Sequence, residues 1–325
     1  MTGKIRIGIL GAGRIAVPAI ITPARGHSGI TVHCIAARDA ERAQAFAHTH
    51  EIPFWAASYD AMLAREDIDL VYIGLPPMLH REWTERALRA GKAVLCEKPF
   101  ALNTEEAEAM VAAAGRAGVP LIEAFHYRYH PLFRTLEALV ADGAIGRVVS
   151  ARAWLRYPIP EDAGEHRWSV AAGGGALMDL GCYPVHALRS LLGDAKVADA
   201  RMAFERGVDR AVAARLSFAS GVRATLHASM RTSAPSSGII LNGTSGRLMV
   251  RGFLMPHRGA DAVLERSGTR TRLDVDPVTT FAAQLDHVVA VLRGEAQPLT
   301  GGADAAANMV LIDAIRAQAR IRSAD

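Results

Sequence analysis

The stretch Ile5-Arg6-Ile7-Gly8-Ile9-Leu10-Gly11-Ala12-Gly13-Arg14-Ile15-Ala16 decides the fold of this chain. Its first half is a short β-rich run of the kind buried in a parallel sheet. The second half is a G-x-G-x-x-A turn that opens a helical pattern. Gly11 makes the turn, Gly13 lets the backbone approach a pyrophosphate, and the small Ala16 permits close helix–strand packing. Arg14 and Ile15 stand at the helix N-terminus, where backbone N–H groups attract phosphate. A strand, a glycine turn and a helix so near the N-terminus, with further strands and helices behind, predict a doubly wound dinucleotide-binding domain.

Working outward, a second strand is predicted over Ile30–Ala36, followed by Ala37-Arg38-Asp39 and a helix over Ala40–His48. A site for NAD usually places a carboxylate at this strand end for the ribose 2′-hydroxyl. Here Arg38 offers a guanidinium fork for a 2′-phosphate, which favours NADP. Asp39 leaves NAD open, because it either caps the helix or reaches the ribose. Leu70–Leu75 reads as a third strand, with Pro76 and His80 in the loop after it and a helix over Arg81–Ala90. Ala93–Cys96 then runs into Glu97-Lys98-Pro99. Leu75, Pro76, His80, Glu97 and Lys98 thus fall at strand carboxyl ends, where an open α/β sheet binds its ligand.

The second chemical landmark is Gly173 to His186, reading GGGALMDLGCYPVH. Three glycines allow a tight turn and close backbone approach. If a helix starts near Gly175, Asp179, Tyr183 and His186 share one face. Pro184 removes a backbone donor, so the helix is expected to be kinked or late in starting.

Composition excludes several classes. With 325 residues, half of them hydrophobic and a net charge of +4, the chain reads as two soluble domains. No basic run interleaved with aromatics points to nucleic acid, and no apolar run suits a membrane span. Cys34, Cys96 and Cys182 lack metal-ligand spacing, and no signal-peptide layout precedes Lys4, so a cytoplasmic enzyme without metal is expected. The division expected is 1–123 for the dinucleotide-binding domain and 124–325 for a substrate and oligomerisation domain. The latter carries strand patterns over Arg147–Tyr157, Lys196–Phe204, Asp209–Phe218, Val222–Met230, Gly238–Leu241, Arg247–Arg251, Ala262–Arg266 and Arg272–Val275. These predict a large, mainly antiparallel open sheet, an α+β arrangement, closed by helices over Thr280–Leu292 and Ala303–Ile321 that pack back on the body.

Taken together, G-x-G-x-x-A after the first strand, E-K-P after a later one and G-G-G-A-L-x-D-x-G-x-Y resemble the Gfo/Idh/MocA oxidoreductase family. Tyr183, where inositol dehydrogenases have histidine, is similar to the branch of glucose–fructose oxidoreductase, dihydrodiol dehydrogenase and NADP-linked xylose dehydrogenase. So is the run from Glu123 to Pro131. The resemblance implies hydride transfer between a nicotinamide and a sugar, sugar derivative or cyclic polyol. It also implies a homodimer or homotetramer paired through the C-terminal sheet. By position it makes Lys98, Asp179 and Tyr183 the catalytic residues, and Lys98, Asp179 and His186 substrate contacts. His126 and Arg167 are further candidates for substrate. A free phenol is a poor base at neutral pH, and the charge of Lys98 nearby would bring Tyr183 towards a working range. Two other readings stay open: a relative working with NAD or mainly as a carbonyl reductase, and a non-catalytic dinucleotide sensor.

Overall fold

A computed structural model describes residues 3–161 and 165–322. The chain divides into two compact units, one formed by Met1–His126 with Phe281–Ala306 and the other by Tyr127–Thr280 with Ala307–Asp325.

In the first unit six strands form one sheet: β1 (Ile5–Leu10), β2 (Ile30–Ala36), β3 (Phe54–Ala56), β4 (Leu70–Ile73), β5 (Ala93–Cys96) and β6 (Leu121–Glu123). Their order is β3-β2-β1-β4-β5-β6, and every neighbouring pair is parallel. β4 and β5 are buried at every residue, which is why they read as continuous apolar runs rather than alternating ones. The order reverses between β1 and β4, and connections leaving in opposite directions open a crevice at the strands' carboxyl ends. The helix after β2 spans Ala40–His50, two residues beyond the expected end, and closes on Glu51 in the left-handed region at φ 58°. The helix after β4 begins at His80. After the glycine turn the chain makes a π-helical stretch, Val17–Ile21, and one further turn, Thr22–Ala24. Pro18 and Pro23 explain it, since neither can donate to a regular α-helical ladder.

Nine strands make the sheet of the second unit: β7 (Val148–Arg156), β8 (Ala195–Glu205), β9 (Val208–Phe218), β10 (Arg223–Ser229), β11 (Ser236–Gly243), β12 (Gly246–Arg251), β13 (Asp261–Arg266), β14 (Thr269–Arg272) and β15 (Ala319–Arg322). The order is β14-β13-β12-β11-β7-β10-β9-β8-β15. All pairs are antiparallel except β7 with β10 and β8 with β15. From Val212 to Phe218, β9 alternates strictly between buried and exposed residues, the mark of a sheet covered on one face. The helix Cys182–Leu192 packs on β7 and β10, with every residue from Cys182 to Leu188 buried.

Three expectations differ from this architecture. The last hairpin strand lies at Thr269–Arg272 rather than over Arg272–Val275, because the turn at Ser267-Gly268 takes positive φ at both residues and sets the register with β13. The final helix stops at Gln318, and Ala319–Arg322 instead pairs in parallel with β8. The first unit is also discontinuous. Phe281–Ala306 joins it because Leu285, Val288 and Val289 are buried and the chain seals β6: Glu123 donates its N–H to the Thr300 carbonyl at 3.1 Å, and Thr300 Oγ1 donates back to the Glu123 carbonyl at 2.5 Å.

Candidate active site

The candidate residues fall into two groups, one on each unit. In the first unit the ends of β1, β2 and β4 are knitted together. Gly11 donates to the Ala36 carbonyl at 2.9 Å and Gly74 to the Leu10 carbonyl at 2.9 Å. Gly11 sits at φ +103°, and a Cβ there would come within 2.7 Å of the Gly74 carbonyl oxygen, so both conformation and space require glycine. Ala16 is fully buried, as close helix–strand packing asks. Arg14 and Ile15 follow directly in the turn.

At the end of β2, Asp39 is the N-cap of Ala40–His50. Its Oδ1 accepts the N–H of Glu41 at 2.9 Å and of Arg42 at 3.5 Å. Arg38 is exposed beside it. Arg42, which the sequence reading passed over, turns back and donates to the Ala12 carbonyl at 2.9 Å, inside the glycine turn. Burial pushes the Tyr59 phenol up while the charges of Arg38 and Arg42 pull it down, so two guanidinium groups act on one spot. A dinucleotide with a 2′-phosphate fits this surface: a glycine turn that a Cβ would fill, two arginines at the β2 end, and the neighbouring carboxylate engaged by backbone N–H groups.

Leu75 and Pro76 follow β4, and Glu97 and Lys98 follow β5. The Glu97 carboxylate accepts from the Tyr72 hydroxyl at 2.8 Å and from the Lys98 N–H at 3.3 Å, so it braces the E-K-P turn. Lys98–Pro99 is a cis peptide. His80, a candidate for the cofactor, opens the helix after β4. Its ring is fully buried, with Nε2 at 2.8 Å from the Leu75 carbonyl and Nδ1 at 2.9 Å from the Pro99 carbonyl. Burial holds its pKa down, against the pull of the carbonyls. A neutral imidazole carries one N–H, so it donates to one of these two loop carbonyls and packs its other nitrogen against the second. His126 ends this unit, 4% exposed, its ring 4.2 Å from that of Phe281.

In the second unit the glycine run does what its sequence suggests. Gly174 donates to the Ser169 carbonyl and Gly175 to the Arg167 carbonyl, both at 2.9 Å. A side chain on Gly174 would collide with the backbone of His166 and Arg167. The expected irregular helix start is a π-helical turn, Leu177–Gly181, leading into Cys182–Leu192. Pro184 lies three residues past this π-helical turn, where it has no N–H to donate back to the Leu180 carbonyl, so the ladder is interrupted there. Asp179 is 9% exposed and its Oδ2 lies 2.9 Å from Arg167 Nε, while Arg167 Nη1 reaches Glu165 Oε1 at 2.9 Å. Burial opposes the Arg167 charge, but Asp179 and Glu165 raise its pKa above the ordinary value. Tyr183 is 6% exposed. His186 is fully buried, and its Nδ1 is 2.5 Å from the Tyr127 hydroxyl. The Tyr127 ring lies 6.0 Å from that of Tyr183 and makes edge contacts with Phe133 and Phe253. Tyr127 therefore supports both predicted residues. The sequence signal for it was present in the Glu123–Pro131 run but gave it no role. Trp168 lies under Arg231, with the guanidinium 4.6 Å from its ring, and donates to the Ile159 carbonyl.

Among the described residues no helix is long and apolar enough to cross a membrane, and no cluster of histidine, cysteine and carboxylate side chains has metal-site geometry.

A glycine-turn Rossmann unit, a lysine at a strand's carboxyl end and a buried Asp–Tyr segment on a second, sheet-based unit define a nicotinamide-dinucleotide oxidoreductase. The chain matches the family described as the oxidoreductase family with NAD-binding Rossmann fold over residues 5–125, and the GFO/IDH/MocA C-terminal domain over residues 133–249. It belongs to the Gfo/Idh/MocA family. It is 34% identical to dTDP-3,4-didehydro-2,6-dideoxy-alpha-D-glucose 3-reductase of Streptomyces antibioticus, over 98% of each chain. It is likewise 34% identical to D-xylose 1-dehydrogenase (NADP(+)) 2 of Haloferax volcanii, over 95% of each. Among solved structures it resembles KijD10, a 3-ketoreductase from Actinomadura kijaniata in complex with NADP and TDP-benzene. There the TM-score is 0.89 and the identity 30%, with 98% of each chain covered.

Proposed function

We propose that this protein is an NADP(H)-dependent oxidoreductase that moves hydride between the nicotinamide and a carbon of a sugar, sugar derivative or cyclic polyol. The observation that carries the cofactor assignment is the pair Arg38 and Arg42 beside a glycine turn, with Asp39 engaged as a helix cap. Relatives named for NADP support it. The dinucleotide, when bound, accepts or supplies the hydride.

The remaining chemistry falls to the chain's own groups. Oxidation of a carbinol requires its hydroxyl to lose a proton, and reduction of a ketone requires the new alkoxide to gain one. In this reading Tyr183 exchanges that proton, and the positive charge of Lys98 favours the alkoxide or phenolate that forms. Asp179, held by Arg167 and through it by Glu165, keeps a fixed orientation towards the substrate hydroxyls. His186 acts through its bond with Tyr127, and His126 and Arg167 are further candidate contacts for substrate. Leu75, Pro76 and Glu97, at the ends of β4 and β5, are assigned to the dinucleotide site.

We place the enzyme in the cytoplasm, where its three buried free cysteines, Cys34, Cys96 and Cys182, stay reduced. It is assigned a homo-oligomeric state formed through the uncovered face of the second unit's sheet, since an open sheet needs its faces and edges covered.

The test is turnover by the wild type and the Tyr183→Phe variant, read by NADPH absorbance, with D-xylose plus NADP and with dTDP-3,4-didehydro-2,6-dideoxy-alpha-D-glucose plus NADPH, the substrates named for the relatives above. Wild-type turnover on either, cut by about 100-fold or more in the variant with cofactor affinity intact, is the expected result. A variant as active as the wild type would remove Tyr183 from the mechanism.

A further inference from the structure

The glycine run is followed by a helical segment whose first turn has backbone N–H groups without intrahelical acceptors. The position before Leu177 is Ala176, which has no side-chain hydrogen bond to offer as a cap. The cap comes instead from 32 residues further along the chain. Asp209, near the start of β9, places its Oδ2 at 2.7 Å from the Leu177 N–H, which donates to it. Its other oxygen, Oδ1, occupies the space that a Cβ on Gly175 would take, so the two groups would overlap. Gly175 itself is held at φ +113°, and its carbonyl accepts the Asp179 N–H at 3.0 Å. Burial pushes the Asp209 carboxyl up to about 6, against the pull of the Leu177 N–H, as expected of a carboxylate withdrawn from water.

We propose that Asp209 is a positioning residue for this site. Its carboxylate fixes the first turn of the segment that carries Asp179 and Tyr183, and Gly175 lacks a side chain because that carboxylate stands in its place. The inference rests on the reading that Asp179 and Tyr183 face the substrate. The geometry shows why the start of this segment matters. Each residue of helix advances the chain by about 1.5 Å and turns it by about 100°, so a start displaced by one residue would carry Tyr183 off its face. Acid–base groups lose efficiency steeply with such misplacement. The anchor is also the reason the turn tolerates a π-helical start: a carboxylate from the sheet takes over the N–H that a regular first turn would leave to a local cap.

Amide hydrogen exchange over residues 176–184 tests this without substrate, so its outcome is separate from that of the Tyr183→Phe turnover assay. Asp209→Ala is expected to exchange at Leu177 and its neighbours about 10-fold faster or more, since a hydrogen bond to a charged acceptor is lost. Asp209→Asn, which keeps a carbonyl oxygen at the same reach, is expected to return to within about threefold of wild type. NADPH affinity should be unchanged within about twofold in both, because the Rossmann unit is untouched. If Asp209→Ala does not accumulate as folded protein, Asp209→Ser, whose hydroxyl falls short, replaces it with the same expectation. Wild-type exchange in the Ala or Ser variant would overturn the proposal. So would an Asn variant exchanging as fast as the Ala or Ser one.

Discussion

Replacing His80 with phenylalanine should remove a buried hydrogen bond between the ring and a loop carbonyl, and the size of the effect can be worked from the structure. The ring is fully buried, with its nitrogens 2.8 and 2.9 Å from the Leu75 and Pro99 carbonyls. Burial keeps it neutral, so it carries one N–H and makes one full hydrogen bond. Losing that bond and leaving its carbonyl buried without a donor destabilises by about 2–4 kcal/mol in total. For a unit of this size that corresponds to a fall in Tm of roughly 5–15 °C. His80→Gln keeps a donor and should recover part of the loss. The same residue has a pH signature. Its folded pKa lies below the ordinary 6.5, so the unfolded chain binds the proton more tightly, and its contribution is lost as pH falls below about 6.5. Thermal melts of wild type and His80→Phe at several pH values, with NADPH titrations alongside, give the answer. The variant should lose this acid-side component and bind NADPH more weakly. A variant with Tm within about 1 °C of wild type and unchanged NADPH affinity would refute this role, since even a single net hydrogen bond is worth more than that.

Arg42→Ala should weaken NADPH binding by about 10–100-fold and NADH binding by no more than about threefold, because only NADPH offers the phosphate; equal losses in titration would show that Arg42 merely braces the Ala12 turn. Gly175→Ala combines a strained φ with overlap against Asp209 and should destabilise the second unit by roughly 2–4 kcal/mol, measured by denaturant unfolding. Asp209 has the opposite pH sign to His80. Its carboxyl is raised to about 6 from 3.8, so its contribution is fully present below about pH 4 and is lost as pH rises through about 6. Asp209→Asn should flatten that part of the stability profile, with a slope change of at most about 1.4 kcal/mol per pH unit.

Much of this molecule was legible because local chemistry and the final environment agree. Ile5–Leu10 followed by Gly11-Ala12-Gly13 reads as strand and glycine turn, and the strand and the positive φ at Gly11 follow from those residues. Pro184 foretold an irregular helix start, and Asp39 has the cap role that its position before Ala40 suggested. Other features depend on partners far away in sequence. Ala319–Arg322 has helical propensity like the residues before it, yet the edge of β8 offers a ladder that no local pattern announces. The closing helices over Thr280–Leu292 and Ala303–Ile321 were expected to pack back on the body, and the pairing of Thr300 with Glu123, invisible in sequence, holds Phe281–Ala306 in the first unit. The setting of His80 was not legible because sequence shows its neighbours and not the two carbonyls at its ring. Arg42, Tyr127 and Asp209 were silent for the same reason: each acts on a group 30 or more residues away.

The measurement that tests the account most directly is a fluorescence titration of the purified protein with NADPH and, separately, with NADH. The account predicts tight NADPH binding and NADH binding weaker by about 10-fold or more, as two guanidinium contacts to a phosphate require. Tighter NADH binding would contradict the roles of Arg38 and Arg42. Binding of neither, with co-purified cofactor removed beforehand, would contradict hydride transfer itself.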